Sequence, residues 1–127
     1  MKTINTNNAP AAVGPYSQAI VDEGTVYCSG QVSIDPVSGE IISGSTAEQT
    51  KIVLENLKAV IEGAGSDFEH VVKVNVYLRN YKDFDDMNRV YCEYFAHHKP
   101  ARIAVEVGDI FGGLSIEIDA IARVIKK

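Results

Sequence analysis

A change of period between residues 45 and 79 constrains this chain more than any other feature. "SGSTAEQTKIVLENLKAVIEGAGSD" places Ile52, Val53, Leu57, Val60 and Ile61 on one helical stripe. "VVKVNVYLR" follows almost at once and alternates Val72, Val74, Val76 and Leu78 with Lys73, Asn75, Tyr77 and Arg79, the period of a strand with one face in a core. A one-striped helix that runs straight into a one-faced strand must lay its stripe on the sheet to which that strand belongs. Ser45 with Glu48, or Thr46 with Gln49, can form a capping box at the helix start, and Gly63 or Gly65 marks its end.

The flanking segments supply the rest of that sheet. "VGPYSQAIVDEGTVYCSGQVSIDPVSGEII" reads as two strands over 17–21 and 25–33, joined at Asp22-Glu23-Gly24 and followed by a turn from Asp35-Pro36 to Gly39. A second helix is predicted over 83–97, with Phe84, Met87, Val90 or Tyr91, and Tyr94 or Phe95 on its inner side. "RIAVEV" and "LSIEIDAIARV" flank the glycine-containing "GDIFGG" and are expected to pair as an antiparallel hairpin. The order strand, strand, helix, strand, helix, strand, strand predicts an α+β fold, one sheet with two helices on one face.

Within that hairpin, Ile103, Val105 and Val107 are expected to share the helix-covered face with Leu114, Ile116, Ile118 and Ala120. Arg102, Ala104 and Glu106 then lie on the other face with Ser115, Glu117 and Asp119, Arg102 opposite Asp119 and within reach of Glu117. An arginine inside a strand needs a partner, because its planar fork of donors is always charged. The arrangement is either a plain ion pair or a clamp for a substrate carboxylate beside a glutamate that handles water. The open face also carries Tyr27, Tyr77 and Ile121, too apolar to be left in water, which favours self-association.

A chain of 127 residues is expected to form one domain, residues 1–127, and gains stability from oligomerisation. Its net charge of −5 opposes attachment to nucleic acid by phosphate neutralisation. No signal-like or membrane-length apolar run is seen, so a cytoplasmic protein without membrane contact is expected. Cys28 and Cys92 lack metal spacing and read as packed thiols rather than a disulfide. His97 and His98 near the second helix end, like His70, form no ligand pattern, and no metal is expected.

The ordered set "GPYSQAI", "YCSGQVSIDPVSGEI", "QTKIVLENLKAVIEGAGS", "VVKVNVYL", "DFDDMNRVYCEYF", "PARIAVEV" and "IEIDAIA" resembles the RidA/YjgF family of reactive-intermediate deaminases over nearly the whole chain. The resemblance implies a chorismate-mutase-like α+β subunit with a single mixed sheet, assembled as a homotrimer with clefts between subunits. It also implies cofactor-free hydrolysis of 2-imino acids, the enamine/imine products of pyridoxal-phosphate-dependent dehydratases such as 2-iminopropanoate and 2-iminobutanoate, to 2-keto acids and ammonia. By that resemblance Arg102 binds the substrate carboxylate and Glu117 positions the attacking water. Tyr16, Ser29 and Gly30 line the cleft, Asn88 lies near it, and the backbone at Ala104 can donate to the carboxylate. Family members are also described as translation inhibitors with ribonuclease activity and as chaperones, so the implied alternatives are a non-catalytic small-molecule-binding or protein-interaction trimer, or a translation inhibitor/endoribonuclease. This chain departs from the usual pattern in having Ile103 and Ala104 where many members have small or polar residues. The departure is expected to repack the core at Ile103 and to remove a pocket side chain at Ala104.

Overall fold

The computed structural model describes residues 1–126. Its strands are β1 Lys2–Ile4, β2 Ala19–Asp22, β3 Thr25–Cys28, β4 Val71–Leu78, β5 Ala101–Glu106 and β6 Ile116–Arg123; its helices are α1 Thr46–Gly63 and α2 Phe84–Tyr94. All six strands form one sheet in the order β1-β2-β3-β6-β4-β5. β4 and β5 are parallel and the other neighbours antiparallel, so the sheet is mixed, as expected.

α1 forms where its stripe predicts. Ser45 rather than Thr46 is its cap: the Ser45 hydroxyl accepts from the Glu48 N–H while the Glu48 carboxylate accepts from the Ser45 N–H. Gln49 is thereby released for a longer task, accepting from the Ser115 N–H at 2.8 Å and donating to the Gly44 carbonyl. We expect Ser45→Ala to lower the unfolding free energy by about 1 kcal/mol. Chemical denaturation checks this, and an unchanged midpoint would mean that the cap contributes nothing.

Val53, Leu54, Leu57, Val60 and Ile61 of α1 are fully buried against Val74, Val76 and Leu78 of β4 and Ile116 and Ile118 of β6. Met87, Val90 and Tyr91 bring α2 onto the same core. That helix stops three residues before the predicted end. Phe95 leaves helical geometry and turns into the core, stacking on Phe68 with ring centroids 4.8 Å apart. β1, absent from the sequence reading, forms because Ile4 supplies one buried side chain and its backbone pairs with β2.

The predicted β5–β6 hairpin does not form. β6 lies in the middle of the sheet between β3 and β4, while β5 is an edge strand running parallel to β4. The physical reason lies in β6, whose Ile116, Ile118, Ala120 and Ala122 are buried one after another beneath the helices. A central position, with a hydrogen-bonded neighbour on each side, suits such a strand better than the end of a hairpin. β5 is reached instead by the β4–α2–β5 crossover, the connection that a parallel pair requires.

This pairing reverses the expected facing of β5. Arg102 lies level with the buried Val74, and Ile103 with Asn75, so Arg102 and Ala104 point to the helix side while Ile103 and Val105 point to the open face. Ile103 does not repack the core; it is 47 % exposed. Asp119 is opposite Asn75 and Glu117 opposite Tyr77, both on the open face. Arg102 and Glu117 therefore lie on opposite faces of the sheet, and the expected Arg102–Asp119 pair is absent.

Candidate active site

Arg102 leaves the edge strand and lies over α2. Its guanidinium carbon is 4.7 Å from the Tyr91 ring centroid and 5.4 Å from that of Phe84, and Nη1 donates to Asn88 Oδ1 at 2.6 Å. Phe84, Asn88 and Tyr91 are spaced i, i+4, i+7, so one face of α2 presents a ring, an amide and a second ring to the cation. Helical periodicity assigns the two aromatics to the core, and the family resemblance sets Asn88 near the substrate. Asn88 instead holds the arginine.

One donor of the guanidinium is occupied, and among the described residues no carboxylate pairs with it. A cation with a fixed plane and free N–H groups is suited to bidentate capture of a carboxylate. It borders a cavity of about 410 Å³, with Tyr91, Phe95 and Pro100 as apolar wall and Lys99 as a second cation. Tyr91 contributes its ring to this arrangement. Its buried hydroxyl has no hydrogen-bond partner among the described residues, and burial, only partly opposed by Arg102, pushes it up to about 12.

The other predicted residues gather at the far side of the sheet. β3 ends at Cys28 and resumes as an isolated bridge between Gln31 and Ile118. Between Tyr27↔Ile121 and Gln31↔Ile118, four steps on one chain oppose three on the other, so Ser29-Gly30 is a bulge. The Ser29 hydroxyl donates to the Ser17 carbonyl at 2.6 Å, which ties the bulge to the loop carrying Tyr16. Gly30 leaves the space that the Glu117 carboxyl occupies: a Cβ there would lie 2.9 Å from Glu117 Cδ. Gly30 and the half-exposed Tyr16 also line a cavity of about 400 Å³ with Val13, Ile41 and Phe111. Ala104, expected at a pocket, packs against the core under the helices.

Glu117 has no hydrogen-bond partner among the described residues. Burial, and secondarily the neighbouring Asp119, holds its carboxyl above the usual carboxylate range. Asp119 is the best-anchored polar group of the open face, accepting from Asn75 Nδ2 at 2.7 Å and from the Tyr77 hydroxyl at 3.0 Å. Strand alternation placed Asn75, Tyr77 and Asp119 on polar positions, but only the β4–β6 register brings them into contact. Cys28 packs against the core and its thiol is pushed up to about 12 by burial, with Asp119 adding to the effect. It is not a nucleophile near neutrality.

Two groups of candidate residues thus lie on opposite faces: Arg102 with Asn88, and Glu117 with Gly30, which shares a cavity with Tyr16. Among the described residues no helix is long and apolar enough to cross a membrane.

The description "Endoribonuclease L-PSP" belongs to the family model that matches residues 6–124. Over 121 residues the chain is 50 % identical to a RutC family protein of Pyrococcus horikoshii, covering 95 % of this chain and 96 % of that one. It is 44 % identical to the human 2-iminobutanoate/2-iminopropanoate deaminase over 121 residues, covering 95 % of this chain and 88 % of the human one. The crystal structure of a putative endoribonuclease of Thermotoga maritima superposes with a TM-score of 0.96 at 43 % identity, covering 99 % of each chain.

Proposed function

The chain belongs to the RidA/YjgF family, that of the endoribonuclease L-PSP match, and from this premise we propose that it hydrolyses reactive 2-imino acids to 2-keto acids and ammonia. The observation that carries the reading is Arg102, a cation held between two rings by one hydrogen bond, with its remaining donors free. Mammalian relatives named as 2-iminobutanoate/2-iminopropanoate deaminases, 44–46 % identical, support it.

The chemistry asks little of the protein. In R–C(=NH₂⁺)–COO⁻ the carbon is already electrophilic, so no cofactor is needed in this reading. Arg102 holds the carboxylate. Glu117 accepts a proton from water as the oxygen bonds to carbon and returns it to nitrogen; as the C–N bond breaks and C=O forms, the remaining hydroxyl proton passes to the departing ammonia. The iminium plus one water gives the 2-keto acid and ammonium.

In this proposal the cleft lies between copies of the chain. The sheet separates Arg102 from Glu117 in one subunit, so one copy contributes the clamp and its neighbour supplies Glu117, Gly30 and Tyr16. Ile103, Tyr27 and Val72, 43–49 % exposed on the sheet, are consistent with such an association. A homotrimer in the cytoplasm is the assembly and location proposed. The family description also carries an endoribonuclease activity, which the net charge of −5 opposes here.

The test follows ammonia and 2-keto acid release from imine generated in situ by a threonine dehydratase. We expect the wild-type chain to accelerate release over spontaneous hydrolysis. Equal rates with and without it would refute the proposal.

A further inference from the structure

Asp119 has no part in the mechanism above, yet it is held more firmly than any other acid on the open face. It sits two residues from Glu117 on the same side of β6, about 7 Å along the strand. Its two oxygens accept from different residues of β4, the arrangement of an ionised carboxylate whose orientation is fixed. Both groups line a cavity of about 250 Å³.

We propose that Asp119 is a positioning residue that keeps a fixed negative charge beside Glu117, and so raises, on top of the effect of burial, the pH at which Glu117 exchanges its proton with water. This rests on the reading of Glu117 as the water-handling group. Within its own copy, the other groups facing Glu117 leave Asp119 as the dominant charge; in the proposed cleft the neighbouring copy's Arg102 adds an opposing charge that is the same in wild type and in both variants below. Tyr77, opposite it on β4, is neutral, its hydroxyl pushed up by burial and by the Asp119 hydrogen bond. Asn75 on β4 is neutral, and the Ser29-Gly30 bulge carries no charge. Asp109 lines the same cavity but is largely exposed and paired with Arg79 at 3.4 Å, which screens it. Like charges in a half-buried site favour the protonated form of the one that is not hydrogen-bonded, and that one is Glu117.

The sign follows directly. Removing the Asp119 charge favours Glu117 as carboxylate, so its titration midpoint moves to lower pH, and the acid limb of kcat/KM moves with it. Burial of Glu117 remains, so part of the elevation persists.

The experiment is a carbon-13 NMR titration of the Glu117 carboxyl without substrate in wild type, Asp119→Asn and Tyr77→Phe. Asp119→Asn keeps the shape and an acceptor for Asn75 but loses the charge. Tyr77→Phe loses a hydrogen bond but keeps the charge. The expected result is a lower Glu117 midpoint in Asp119→Asn and an elevated one in Tyr77→Phe. An unchanged or higher midpoint in Asp119→Asn overturns the proposal, as does an equal fall in both variants, which would reveal a purely structural role. Asp119→Ser serves the same comparison should the asparagine variant fail to fold. Because the titration needs no turnover, a chain inactive on imines whose midpoint falls in Asp119→Asn would refute the deaminase reading and leave the coupling standing.

Discussion

Arg102→Ala and Glu117→Ala should each lose activity on imines by about 100-fold or more, and a co-expressed mixture of the two should recover about a quarter of it. The single losses follow from the chemistry. Without the guanidinium the carboxylate has no charge-assisted fork to orient it, and without the glutamate the attacking water has no proton acceptor. The recovery follows from the faces. In a random one-to-one assembly, half of the clamp positions keep Arg102, half of the opposing positions keep Glu117, and about one cleft in four has both. Neither variant should fold badly. Arg102 uncovers two rings and one amide at an edge strand, and Glu117 makes no hydrogen bond that is lost. Ammonia release from the purified mixture decides the matter, with each variant measured alone. A mixture no more active than its components would show that the two residues are not shared between copies.

Gly30→Ala should abolish most activity while barely changing stability. The added methyl would sit 2.9 Å from Glu117 Cδ and 3.1 Å from its Cγ, closer than carbon atoms tolerate, so the carboxyl end has to swing away. The moving part is the free end of an unanchored side chain, and Gly30 has no left-handed φ, so the folded state loses little. A catalytic carboxyl displaced by an ångström or more costs roughly 100-fold in rate. Gly108→Ala is the control, since a Cβ there meets nothing within 4 Å and no unusual backbone angle is involved. Its activity and denaturation midpoint should match wild type. An active Gly30→Ala would show that Glu117 need not occupy the space over the bulge.

The legible parts of the fold were those whose signal is local. α1 and its cap, β4 from Val74 onward, the inner face of α2 and the core positions of β6 all follow from periodicity, because each repeats its burial every 3.6 or every 2 residues; at the start of β4 a register shift buries Val71 and leaves Val72, expected inside, 43 % exposed. Arg102, Glu117, Tyr16 and Gly30 came from ordered motifs, and the structure places Gly30 beside Glu117 and in one cavity with Tyr16. The Phe84-Asn88-Tyr91 cradle was visible as spacing but not as purpose, since aromatics on an inner helix face are indistinguishable from core residues until the cation lies over them.

What the sequence determined by itself is therefore the inventory: two helices, five of the six strands, and a cation and a carboxyl carried on two different strands. Only the tertiary structure decided which way β5 faces and what it pairs with. Backbone ladders are the same for every sequence, and alternation states that Arg102 and Ile103 point in opposite directions without saying which direction is in. Burial under α1 and α2 gave β6 the centre and sent β5 to the edge beside β4. That placement turned the apolar side of β5 outward and carried Arg102 to the face away from Glu117.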